Sequence, residues 1–75
     1  MQIAKIRDMS DGEIRSAIDD LREELFNLRV QAGIGTLEDL SRMREARRDL
    51  ARMLTVLRER ELAAELVSAG QKEEA

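Results

Sequence analysis

Seventy-five residues with no cysteine and no histidine make one small domain at most, with little core and no disulfide or thiolate metal site to hold it together. One phenylalanine, no proline, no tyrosine and no tryptophan, beside 39% charged and 43% hydrophobic residues, exclude a β protein in favour of helices. The formal net charge of -3 is unevenly spread: five basic residues stand against seven acidic from Met1 to Gly35, seven against five from Thr36 to Arg60, and one against four from Glu61 to Ala75.

The first nine residues carry Ile3 and Ile6 and form a short appended segment that can fold back on the rest of the chain. MSDGEI, Met9 to Ile14, is a helix start: Ser10 and Glu13 have capping-box spacing, and Met9 and Ile14 fall at the positions of a hydrophobic staple. Ile14, Ala17, Ile18, Leu21, Leu25, Leu28 and Ala32 then repeat at helical spacing. The pattern stops at AGIG, where Gly33 and Gly35 allow left-handed backbone and end the helix.

A second helix is expected from about Leu40, with Asp39 as its N-cap and Thr36 or Ser41 as competitors. Met43, Ala46, Leu50, Met53, Leu54 and Leu57 make its apolar stripe, which weakens from Leu62 to Val67 before Gly70 and QKEEA. Two amphipathic helices joined by a short glycine link pack as antiparallel neighbours. The expected fold is all-α: a coiled-coil-like antiparallel two-helix hairpin with a short N-terminal helical segment. It forms one domain over residues 1–67, with helices at about 10–33 and 40–67 around a hinge at 33–39, and residues 68–75 as a solvated acidic tail.

The segment Arg42 to Arg60 holds seven arginines and no lysine. Arginine suits planar, bidentate recognition of phosphate or carboxylate, which solubility alone does not require. On a wheel of about 100° per residue, Arg44, Arg48, Arg52 and Thr55 lie opposite the apolar stripe, flanked by Arg47 and Arg58. Such a ridge can follow a phosphate backbone. It can equally be a solvated face paired with Glu45, Asp49 and Glu59. On the first helix, Phe26 and Val30 are one turn apart and off the stripe, bordered by Arg22, Asn27 and Arg29, which makes them a candidate contact surface.

Catalytic chemistry is poorly supplied. Without histidine or cysteine the commonest general base and activated nucleophile are missing. Asp19/Asp20 and Glu23/Glu24 are consecutive acids that point in different directions on a helix, so they read as solvated rather than as a cation site, and no cofactor is expected. IRSAIDDLREELFNLRVQ is superficially similar to the first helix of the small all-helical chorismate mutases. Those enzymes need a pocket lysine and a further helix, and the only lysines here are Lys5 and Lys72. No enzyme is expected.

LREELFNLRVQ (Leu21 to Gln31), a glycine hinge, and REARRDLARMLTVLRER (Arg44 to Arg60) together resemble the bacterial form of the large-subunit ribosomal protein twenty-nine family. FNLR (Phe26 to Arg29) and the RRDxAR core (Arg47, Arg48, Asp49, Ala51 and Arg52) carry the resemblance, with IRDMS (Ile6 to Ser10) similar to the family's opening. The resemblance implies a structural protein of the cytoplasmic ribosome. Its two long antiparallel helices would dock on large-subunit ribosomal RNA near the polypeptide exit tunnel, beside large-subunit protein twenty-three. By position in the motif, Arg29, Gln31, Arg44, Arg47, Arg48, Arg52 and Thr55 are the RNA-contact candidates, and Phe26 and Val30 the candidates for an apolar protein contact. The alternative is a helical dimerisation or adaptor module without RNA, since two such hairpins can join into a four-helix bundle.

Overall fold

The computed structural model describes residues 1–36 and 39–74, the side chains of the last four excepted. Three helices follow one another: α1 (Ile3–Arg7), α2 (Asp11–Gly33) and α3 (Ser41–Glu74). Helices α2 and α3 form the hairpin, and α1 folds back against α3. The radius of gyration is 16.8 Å over a 60 × 21 × 16 Å envelope, against about 11 Å for a globule of this length. The molecule is a rod, so most side chains face outward.

Helix α2 starts where its cap dictates: Ser10 has extended backbone and its Oγ accepts the Glu13 N–H at 3.2 Å. That is the serine half of the capping box. Its apolar stripe meets the other helices through Ile14, Ile18, Leu21 and Leu25, all buried, with Ala17 and Leu28 at the margin. Ala32, the last member expected, is exposed, because it lies at the turn end of the hairpin. Gly33 still belongs to the helix, and only Gly35 takes left-handed backbone, at φ 78°. Around it, the Gly35 N–H donates to Ala32 C=O and the Thr36 N–H to Gln31 C=O, so the last carbonyls of α2 are satisfied as in other left-handed helix ends. Thr36 therefore finishes α2 rather than starting α3; its hydroxyl also donates to Gln31 C=O at 3.2 Å. Positions 37 and 38 of the expected hinge, and Ala75 of the expected tail, lie outside the described residues.

At the start of α3, Asp39 Oδ1 accepts the Ser41 N–H at 2.9 Å. This bond holds the Asp39 carboxyl below its ordinary pKa, but Asp39 is not the expected N-cap: the first intrahelical bond, Arg44 N–H to Leu40 C=O, makes Leu40 the cap residue, and Asp39 bonds the first helical N–H from one position further out. Two further expectations for α3 are corrected. The helix continues past residue 67 to Glu74, because its C-terminal third is built from strong helix formers and a single glycine, Gly70, costs only about 1 kcal/mol. Leu54, expected on the buried stripe, is 42% exposed, while Val56 is buried in its stead together with Met43, Ala46 and Met53. The cause is α1. Its Ile6 is wholly buried in the common cluster, and docking α1 beside α2 rotates the covered arc of α3 towards Asp49, Met53 and Val56 and away from Leu54. Every residue from Glu61 to Gly70 is exposed, with no other described helix packed against this part of α3.

Candidate nucleic-acid interface

The seven arginines of Arg42 to Arg60 divide into two groups. Four are engaged within the protein. Arg42 grips Glu24 across the hairpin with two donors, Nε at 2.5 Å and Nη2 at 2.7 Å, and also reaches Glu45 at 3.4 Å. The Arg42 hydrogen bonds hold the Glu24 carboxyl below its ordinary pKa, and Glu24 in return raises that of Arg42. At the opposite end, Arg60 closes the junction of α1 and α2. Its Nη1 donates to Asp11 at 2.6 Å, and its Nη2 donates to the carbonyls of Arg7 and Met9 at 3.0 and 2.8 Å. Arg58 pairs with Glu61 at 3.0 Å and Glu65 at 4.0 Å. Arg52 donates to Met1 C=O at 3.2 Å and to Asp49 at 3.4 Å.

The other three, Arg44, Arg47 and Arg48, are exposed and have no ion-pair or hydrogen-bond partner among the described residues. Of the RNA-contact candidates, these three are therefore available. Arg29 is also exposed and unpaired among the described residues, and Gln31 is exposed at the end of α2. Arg52 is placed differently from the expectation of an unencumbered ridge: Asp49 and the N-terminal backbone hold its guanidinium. The Thr55 hydroxyl donates to Ala51 C=O at 2.8 Å, back-bonding within its own helix, with its acceptor lone pairs still open. Phe26 and Val30 stand on the outer side of α2, 65% and 47% exposed, close to exposed Ile34.

Three residues of structural weight escaped sequence reasoning. Asp49, inside the arginine run, is only 8% exposed and binds the Met1 ammonium at 3.0 Å. Arg42 and Arg60 serve as clasps at the two ends of the hairpin. Spacing along α3 carries no trace of this, because their partners lie 18 to 53 residues away. A signal existed only for Asp49, whose position between Ala46 and Met53 continues the buried arc.

The described residues contain no helix long and apolar enough to cross a membrane and no cluster of three or more metal-ligating side chains. Comparison with known proteins decides the affiliation. The sequence model of the Ribosomal L29 protein family matches residues 4–60. The chain belongs to the ribosomal L29 family. Among curated relatives, the large ribosomal subunit protein uL29 of Geobacillus stearothermophilus is 52% identical over 64 residues, covering 85% of this chain and 97% of that protein. The uL29 of Symbiobacterium thermophilum is 49% identical over 65 residues, covering 87% and 93%. That of Cutibacterium acnes is 47% identical over 62 residues, covering 83% and 80%. The family match ends at Arg60, the clasp residue, so the free-standing part of α3 lies outside it.

Proposed function

We propose that this member of the L29 family binds large-subunit ribosomal RNA near the polypeptide exit tunnel and packs its apolar outer patch against a neighbouring ribosomal protein. It is a structural constituent of the large ribosomal subunit in the cytoplasm and not an enzyme, in keeping with its family and with the names of its relatives. The observation that carries RNA binding is the set Arg44, Arg47 and Arg48, exposed and without carboxylate partners among the described residues, in a protein whose other α3 arginines are all engaged. An unpaired guanidinium makes charge-assisted hydrogen bonds to phosphate without first breaking an internal pair. A rigid row of such groups reads the shape of folded RNA rather than its base sequence. Arg29 flanks that row on α2, while the other expected contacts, Gln31, Arg52 and Thr55, stand away from it. Phe26 and Val30, with Ile34 beside them, form the patch for the protein neighbour, which the family resemblance implies is large-subunit protein twenty-three.

The test is sedimentation from the native host. The chain co-sediments with large subunits after a moderate salt wash, and Arg44→Gln with Arg47→Gln lowers its occupancy without changing its helicity. A chain that stays at the top of the gradient, or full occupancy of the double variant, would refute this reading.

A further inference from the structure

We infer that the hairpin has a phosphate-binding side and an acidic side, and that the RNA-facing side is built jointly by Arg15, Arg22 and Arg29 of α2 with Arg44 and Arg47 of α3. This deepens the RNA-binding proposal and rests on it. Arg15 and Arg22 enter the site here for the first time.

The sidedness follows from one cross-helix bond. Arg42 and Glu24 are joined across the hairpin, so they mark the same side of it. At about 100° per residue, Arg42 lies roughly 60° from the buried seam of α3 and Glu24 roughly 90° from that of α2. In antiparallel helices equal-signed rotations from facing seams lead to the same side. Asp49 and Val56 rotate the same way as Arg42, and their burial shows that α1 sits on that side too. Arg47, Arg15, Arg22 and Arg29 rotate the opposite way by roughly 50° to 90°, and Arg44 somewhat further, so all five share the side away from α1.

Charge then separates by side. Glu13, Asp20 and Glu24 of α2 and Glu45 and Asp49 of α3 rotate towards the α1 side. Every α3 arginine that rotates with them is engaged: Arg42 with Glu24, Arg52 with Asp49 and Arg60 with Asp11. On the other side, among the described residues from Asp11 to Val56, Asp11 shares the wheel angle of Arg29 and is held by Arg60, Asp19 lies at the outer edge, and Asp39 just ahead of α3 feels the charge of Arg44; none of the five arginines has a carboxylate within 4.0 Å among the described residues. Arg15, Arg22 and Arg29 recur every seven residues, or about 10.5 Å along the helix. They form one row, and Arg47 and Arg44 form a second across the groove. Two unneutralised rows on one side of a net-acidic protein are the form expected of a surface that meets a polyanion whose charge must be matched locally. Gln31 rotates to the acidic side, and Arg52 and Thr55 lie beyond its outer edge, which removes all three from the contact.

The test uses the full chain and a transcript of the host's large-subunit ribosomal RNA, with affinity measured between 50 and 200 mM salt. The probe choice follows from phosphate contacts dominating both affinity and its salt dependence. Arg15→Gln with Arg22→Gln should flatten the log–log salt slope by about 1.5 and reduce affinity at the low-salt end by roughly tenfold relative to the high-salt end. Asp20→Asn with Glu45→Gln, on the other side, should leave the slope unchanged. An unchanged slope in the α2 double variant, with Arg44→Gln/Arg47→Gln still lowering it, overturns the two-row surface and leaves RNA binding standing. A wild-type chain with no salt-dependent affinity for the transcript overturns both.

Discussion

Replacing Arg60 by methionine keeps the aliphatic stem and removes the guanidinium, so it isolates what the clasp contributes. Three bonds are lost: two to the carbonyls of Arg7 and Met9, at 3.0 and 2.8 Å, and one to the Asp11 carboxylate at 2.6 Å. The carbonyl bonds contribute about 0.5–1.5 kcal/mol each. The Asp11 pair is solvent-exposed on the Asp11 side, at 55%, so it is held to the value of a surface pair, about 0.2–1 kcal/mol. The loss is then roughly 2 kcal/mol, which matters in a chain whose total stability, at about 0.05–0.15 kcal/mol per residue, is of the order of 4–11 kcal/mol. Urea unfolding followed by circular dichroism measures it: with a slope near 1 kcal/mol per molar for so small a protein, the midpoint should fall by about 2 M. Amide exchange in α1 should quicken more than in the middle of α2, since the clasp holds the junction between them. Arg60→Lys, which can serve one carbonyl but not all three acceptors, should fall between the two. Arg47→Met, at an exposed position with no partner among the described residues, should stay within about 0.5 kcal/mol of the wild type. If Arg60→Met shifted the midpoint no more than Arg47→Met does, the clasp would be an ornament of the static structure and the reasoning would fail.

The two glycines at the end of α2 should respond with opposite signs. Gly35→Ala forces an L side chain into φ 78° and should destabilise by about 1 kcal/mol, whereas Gly33→Ala, helical and in open space, should stabilise by about 0.4–1 kcal/mol; thermal melts of the two variants check this. The Glu24–Arg42 pair gives a pH dependence with a definite sign. Glu24 has its carboxyl pKa depressed from the ordinary 4.5 by the Arg42 hydrogen bonds, so its contribution is present above that value and lost as the pH falls through the depressed one. Being partly exposed, the pair contributes no more than about 1 kcal/mol, and Glu24→Gln should remove that part of the acid limb when stability is titrated from pH 6 to pH 3.

Much of the molecule is legible in the order of its residues alone. Ser10 and Glu13 mark the start of α2, Asp39 the start of α3, and the repeat from Ile14 to Leu28 the seam, because caps and helical periodicity are short-range properties of the chain. The outward position of Phe26 and Val30 follows from the same wheel. Leu54 and Val56 exchange places because burial on α3 depends on where α1 docks, and no feature of α3 itself records that.

The arginines mark the boundary between the two kinds of information. Their number, their clustering and the resemblance they carry belong to the sequence by itself, as do the helices that hold them at fixed angles around each axis. Which of them are spent on internal carboxylates and which remain for a partner was decided only in three dimensions. A helical period fixes an angle about one axis, but not the side on which the neighbouring helix and the N-terminal segment will lie. Glu24, Asp11 and the first residues of the chain come to Arg42, Arg60 and Arg52 from 18 to 53 positions away, and only that packing separates the engaged arginines from the exposed ones.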